Sequence, residues 1–223
     1  MAENRELETK LLLDEAGFEA LKSIGRLEQR RTQLNIYFDS GWRLADSAIT
    51  CRIRIEPNIG ATATLKVPVA DVSGRREMRE LETRLGRLDR GLYRHRFLNV
   101  ATDLPPGWKE EVTKLGVKSL ERVGWMRNTR YVLVFDDKTL EVDRFSLPDG
   151  SVVFEAEIES TDLTTHEALT RLVLKLVPTA EVSGISKFQR FRAAVVAPKA
   201  QAGPRIPRLL PIVWGRIRGL RRP

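Results

Sequence analysis

The chain has 223 residues, 42% hydrophobic and 30% charged, which is enough apolar material for one sizeable folded domain and argues against extended disorder. Its 38 Lys and Arg against 30 Asp and Glu give a formal charge of +8, so attraction to polyanions is expected, with nucleic acid, phosphate compounds and lipid surfaces all open. One cysteine, Cys51, excludes an intramolecular disulfide, no run of about 18 apolar residues predicts a membrane-spanning helix, and no leader-like opening is seen, so a cytoplasmic location is expected. Much of the positive charge is local: residues 199–223 hold seven Lys or Arg and no acid. The reading is therefore a domain over residues 1–197 and a basic tail, rich in Pro and Arg, over 198–223. That tail is a candidate contact for an anionic surface or a second protein, and a homodimer is compatible with the composition.

In chain order, residues 6–13 read as a strand and 14–27 as a helix with Phe18, Leu21 and Ile24 on its apolar side. Residues 33–39 alternate around Leu34, Ile36 and Phe38 and predict a second strand that ends at the Ser40-Gly41 turn. The clearest alternation is 49–56, where Ile49, Cys51, Ile53 and Ile55 share one face and Thr50, Arg52, Arg54 and Glu56 the other. Residues 62–67 read as its returning hairpin strand, and 76–84 as another strand. Residues 85–99 and 106–115 hold loop and short helical material without a clear period. Three more strands follow at 129–135, 139–145 and 151–159, and Thr164 or Thr165 is placed to cap a helix reaching 177. Successive antiparallel strands with few helices predict a mainly β fold with covering helices, a meander or a closed barrel in place of a parallel sheet.

Charged residues recur on one side of these strands. Glu6, Glu8 and Lys10 alternate on the first, Arg52 and Arg54 on a later one, then Thr64 with Lys66, Glu80 with Glu82, Glu141 with Asp143, and Glu155, Glu157 and Glu159 together. A sheet with one wet face produces the same pattern, so alternation alone does not define a site. The chemistry is more pointed. Arg-x-Arg holds non-bridging phosphate oxygens with fixed guanidinium donors, and carboxylates two residues apart on a strand offer oxygen ligands to a hard divalent ion. A polyphosphate substrate needs both.

The ordered set resembles the CYTH domain family, the triphosphate tunnel metalloenzymes. Glu6-x-Glu8-x-Lys10 is similar to the family's N-terminal ExExK. Tyr37-Phe38-Asp39, Arg52-x-Arg54, Lys66, Glu80-x-Glu82, Arg130, Asp143, Glu157-x-Glu159 and Ser186-Lys187-Phe188 follow in the family's order. The resemblance implies an eight-stranded antiparallel β-barrel tunnel, with a triphosphate held inside it by Arg52, Arg54, Lys66, Arg130 and Lys187. It also implies Mg2+ or Mn2+ on Glu6, Glu8, Glu157 and Glu159, with Asp143 and Glu155 extending that set. Glu80 and Glu82 match acidic positions that support metal, select substrate or orient arginine. Lys10, Glu8 and Glu157 are the expected catalytic group, with Lys10 ordering carboxylates or activating water. Two departures stand out: Met78 lies where a basic residue is common, and Asn128 interrupts a Lys-x-Arg pattern, leaving Arg127 to supply charge only through a bulge.

The implied activity is metal-dependent hydrolysis of a phosphoanhydride in inorganic triphosphate or a small organic triphosphate. An adenylate cyclase making cAMP and pyrophosphate from ATP, and a noncatalytic polyphosphate- or nucleotide-binding module, are the alternatives. Cys51 alternates with apolar positions and reads as a packed thiol. His95 and His166 lack partners at ligand spacing, and Asp39 reads as a turn stabiliser.

Overall fold

A computed structural model describes residues 7–57, 59–69, 78–86 and 95–197. Strand β1 (Leu7–Leu13) leads into helix α1 (Glu15–Ile24). Asp14 caps that helix by accepting the Gly17 backbone N–H at 2.6 Å, and Glu15 and Lys22 match the two ends of its dipole. The helix stops at Gly25, where an added Cβ would lie 2.8 Å from the Phe135 ring, so it ends before residue 27. Strand β2 (Arg26–Asp39) follows, then α2 (Arg43–Asp46). The Asp39 carboxylate accepts the backbone N–H groups of Ser40, Leu44 and Ala45 at 2.6, 3.0 and 3.0 Å, which fixes this corner.

Strands β3 (Thr50–Glu56), β4 (Gly60–Pro68) and β5 (Met78–Leu85) form a meander. A short β6 (Phe97–Asn99), α3 (Val100–Asp103) and α4 (Pro106–Thr113) precede the long β7 (Ser119–Phe135). Strands β8 (Lys138–Ser146) and β9 (Val152–Ser160), α5 (Leu163–Leu176), β10 (Glu181–Val182) and α6 (Lys187–Val196) complete the described chain. The cap of α5 is Asp162, whose carboxylate accepts the Thr165 N–H at 2.7 Å, so the threonines expected to cap it lie inside the helix. The tail over 198–223 lies outside the described residues.

The strands pair in the order β10-β1-β9-β8-β7-β2-β3-β4-β5, with β6 added to β7. This corrects the expected eight-stranded antiparallel β-barrel tunnel: the sheet has ten strands and two ends, and does not close. Closure requires the last strand to hydrogen-bond to the first. Here the outer side of β1 is taken by β10, through Leu11↔Val182 and Leu12↔Glu181, and among the described residues no pairing joins β5 to either. The alternation that suggested a barrel needs only one covered face, and the helices supply it.

That cover has two parts. Phe18 and Leu21 of α1 and Leu169 and Val173 of α5 pack on Leu11, Leu133, Val142, Ala156 and Ile158. Trp108 and Val112 of α4 pack on Cys51, Ile53, Ala63 and Leu65. Full burial of each large side chain is worth about 1.5–3 kcal/mol, so the covered face carries the stability. The opposite face is polar except at one end. There Phe188 and Phe191 of α6 stack near Tyr37, at 4.9 and 4.8 Å between ring centroids, and pack with Met126 and Phe145. The backbone makes room at Gly124, where φ is +149° and a Cβ would come within 2.7 Å of the Phe191 ring.

Candidate functional site

Strand register determines which side chains meet on the polar face. Lys10 lies opposite Glu157, Glu8 opposite Glu159, Glu141 opposite Glu157, and Asp143 opposite both Glu155 and Arg130. Farther along the sheet, Arg52 lies between Tyr37 and Thr64, Arg54 between Asn35 and Thr62, and Thr64 and Lys66 face Glu82 and Glu80. One sheet face therefore has an acidic side on β1, β9 and β8 and a basic side on β3 and β4.

On the acidic side Arg130, Asp143, Glu155 and Glu157 are buried and tightly paired, while Glu8 and Glu159 are exposed. Arg130 donates through Nε and Nη2 to Asp143 at 2.9 and 2.7 Å, and also pairs with Glu157 and Glu141. Lys187 Nζ lies 2.8 Å from Asp143, 2.9 Å from Glu155 and 2.7 Å from Glu157. Lys10 pairs with Glu8 and stands 3.9 Å from Glu157. Burial disfavours the charged form of Glu157, yet Lys187, Arg130 and Lys10 hold its carboxyl well below the usual range. Asp143 is likewise lowered: Lys187 and Arg130 outweigh its burial. Glu155 and Glu141 go the other way because burial dominates.

Glu159 is different. Burial of its carboxyl, then the charges of Glu157, Glu141 and Glu8, push it up to about 7. Glu8, Glu157 and Glu159 can each offer an oxygen to a common point, with those oxygens all within 4.8 Å of one another. The surplus negative charge registered at Glu159 and the all-oxygen donor set both fit a hard divalent cation. Glu6, expected beside them, lies outside the described residues.

The basic side is more open. Arg52 donates to Thr64 Oγ1 at 3.3 Å while its buried Nε has no hydrogen-bond partner among the described residues, and Arg54 Nε donates to Asn35 Oδ1 at 3.0 Å. Burial, then the neighbouring Arg52 and Arg130, lower Arg54 to about 10, which still leaves it charged at neutral pH. The Thr64 hydroxyl in turn donates a hydrogen bond to Glu82 at 3.0 Å, and Lys66 pairs with Glu80. Glu80 and Glu82 thus orient the basic groups in this arrangement, away from the carboxylate cluster.

Several positions escaped the sequence pattern. Gln33 and Asn35 are buried on the polar face, Asn128 donates to Gln33 Oε1 at 3.0 Å, and Arg31 lies opposite Arg130. Continuing the polar parity of Tyr37 backward along β2 finds all three β2 residues. Arg127 has the other parity and lies over the Trp125 ring at 5.7 Å; the two irregularities in pairing fall at Leu27/Gln29 and Tyr37/Phe38, too far away to turn it inward. Cys51 is buried, its thiol pushed up to about 12 by desolvation, and it takes no part in the polar face.

The model of the CYTH domain matches residues 4–192. The fold is similar to HpAC1 from Hippeastrum, an adenylyl cyclase candidate reported to have a dominant triphosphatase activity (TM-score 0.64, 24% identity, 84% of this chain and 95% of that one). It is also similar to an adenylate cyclase candidate from Bacillus halodurans (TM-score 0.69, 24% identity, 86% and 99%) and to a conserved hypothetical protein from Pyrococcus furiosus (TM-score 0.52, 18% identity, 82% and 98%). No curated protein matches the chain. No helix among the described residues is long and apolar enough to cross a membrane. With a match that begins before β1, reaches into α6 and takes in every strand of the polar face, the chain belongs to the CYTH domain family.

Proposed function

We propose that the protein hydrolyses the terminal phosphoanhydride of inorganic triphosphate or a small organic triphosphate, with Mg2+ or Mn2+ as cofactor. The observation that carries this reading is the division of one sheet face into a carboxylate cluster, Glu8, Glu157 and Glu159, and, farther along the same face, a group of guanidinium and ammonium side chains, Arg52, Arg54 and Lys66. Arg52 points most directly to a ligand, since its buried Nε has no acceptor among the described residues, and a phosphate oxygen is an acceptor it fits. Arg54 is oriented by Asn35 and supplies a second fixed fork.

A divalent ion on the carboxylate cluster supplies Lewis-acid neutralisation of the phosphate oxygens. The chain's own work is binding and charge compensation: Arg52, Arg54 and Lys66 fix the phosphate chain, and the ammonium of Lys10 stands between Glu8 and Glu157 at the edge of the cluster. In the net reaction water adds to the terminal phosphorus, the bridging P–O bond breaks, and diphosphate and orthophosphate leave with the water's protons shared between them and solvent. The dominant triphosphatase activity of HpAC1, a protein of the same fold, supports this choice over cyclisation.

The test is incubation with tripolyphosphate, thiamine triphosphate and ATP under Mg2+ and under Mn2+, with orthophosphate, pyrophosphate and cyclic nucleotide resolved. Metal-dependent orthophosphate release, lowered at least about 100-fold in Glu8→Gln, is expected. Cyclic AMP with pyrophosphate as the main products would make the protein a cyclase, and tight tripolyphosphate binding without turnover would make it a binding module.

A further inference from the structure

Helix α6 presents Lys187 as its first residue, directly after the Ser186 cap. A cation there meets the positive end of the helix dipole, and its side chain is also withdrawn from water, so something must hold it in place. Three carboxylates do: Asp143, Glu155 and Glu157, at 2.8, 2.9 and 2.7 Å. The ammonium lies within hydrogen-bonding distance of one oxygen from each of the three acids. Glu155 is fully buried; its Oε1 meets the Lys187 ammonium at 2.9 Å, and its Oε2 has no hydrogen-bond partner among the described residues. Three converging carboxylates around a central cation form the arrangement a hard divalent ion requires, with an ammonium in the ion's place.

This group is separate from the Glu8, Glu157 and Glu159 cluster and shares only Glu157 with it. Lys187 is also the residue whose family resemblance suggested contact with phosphate. In the structure its charge is already engaged by three acids.

We infer that Lys187 is a built-in occupant of a second cation subsite, formed by Asp143, Glu155 and Glu157, and that the protein consequently takes a single divalent ion, on Glu8, Glu157 and Glu159. The inference rests on the functional reading above, in which the acidic side of the sheet holds such an ion. Lys187 is then a positioning residue: it acts by holding Glu157, and through it the cluster.

The experiment counts Mn2+ bound per full-length chain at neutral pH, by the loss of the free-ion electron paramagnetic resonance signal, in the wild type, Lys187→Met and Lys187→Arg. One ion is expected for the wild type, two for Lys187→Met, where the emptied subsite becomes available, and one for Lys187→Arg, which keeps the cation. Melting temperature is read alongside: Mn2+ should raise that of Lys187→Met by more than that of the wild type. If Lys187→Met does not fold without metal, Glu155→Gln serves instead, and should leave the count at one while Glu159→Gln lowers it. Two ions on the wild type, a folded Lys187→Met that still binds one, a second ion on Lys187→Arg, or loss of the wild-type ion on Glu155→Gln would each overturn the inference. A wild type that binds none sinks the functional reading itself, a result distinct from those four.

Discussion

Arg130→Met tests whether the acidic side of the polar face is held together by charge or by packing. Arg130 is 8% exposed and pairs with Asp143, Glu157 and Glu141, while Lys187 also reaches the first two. Methionine keeps much of the apolar stem and removes the guanidinium, leaving Glu141 without its ion-pair partner and Asp143 and Glu157 with one cation fewer. Breaking a buried pair in this way costs about 3–5 kcal/mol. For a chain of this size that is a fall in melting temperature of roughly 6–20 °C.

The pH dependence separates the causes. Asp143 and Glu157 are both held below the ordinary carboxylate range in the folded protein. A depressed carboxylate contributes stability that is fully present above its unfolded value, about 4, and is lost as pH falls through the folded value. Arg130→Met gives up part of that contribution, so the gap between wild type and variant should be widest near pH 7.5 and narrower at about pH 2.5, below the ordinary carboxylate range. Urea denaturation of the metal-free proteins at the two pH values measures it. An equal gap at both would show that Arg130 matters through its packed stem, and the charge argument would be wrong.

Gly124→Ala should destabilise by about 2–4 kcal/mol, from a strained backbone at φ +149° and the approach of the new Cβ to the Phe191 ring. In a double-mutant cycle Phe191→Leu should recover part of that loss, and strict additivity would refute the contact. Glu159 makes a prediction of the opposite sign to Arg130. Its carboxyl is raised to about 7, so the folded state keeps a proton that the unfolded state has released, and the metal-free protein should lose stability as pH rises from about 4.5 to 7. The residue is partly solvent-exposed, which limits the effect to about 1 kcal/mol or less. Mg2+ should raise the melting temperature more at pH 8 than at pH 5.5, and Glu159→Gln should abolish the difference; a gain independent of pH would place the ion elsewhere.

What the sequence revealed follows from where a period existed. Strands β3, β4, β8 and β9 have one covered and one polar face, and their two-residue alternation was readable almost to the end residues. The first part of β2, residues 26–32, is solvent-exposed except at the half-buried Arg31, so no alternation marks it and the region reads as the end of a helix. The front of β7 failed similarly, because residues 121–124 are all half-buried. Helix α6 did carry a signal, the Ser186-x-x-Gln189 capping box, but its buried Phe188 and Phe191 are too few to display a helical period. Closure was beyond reach for a different reason: whether the final strand meets the first depends on the sum of twist and stagger across the sheet, which no local pattern encodes.

The ion-paired face also shows why β2 spends buried positions on amides. Gln33, Asn35 and Asn128 lie between the carboxylate strands and the arginine strand, and each is nearly inaccessible to solvent. A carboxylate in that strip would pair with Arg54 and an ammonium with the acids, and either would drain charge from one of the two poles. Neutral dipoles keep the two poles apart, so an incoming polyanion meets a gradient that it can align with.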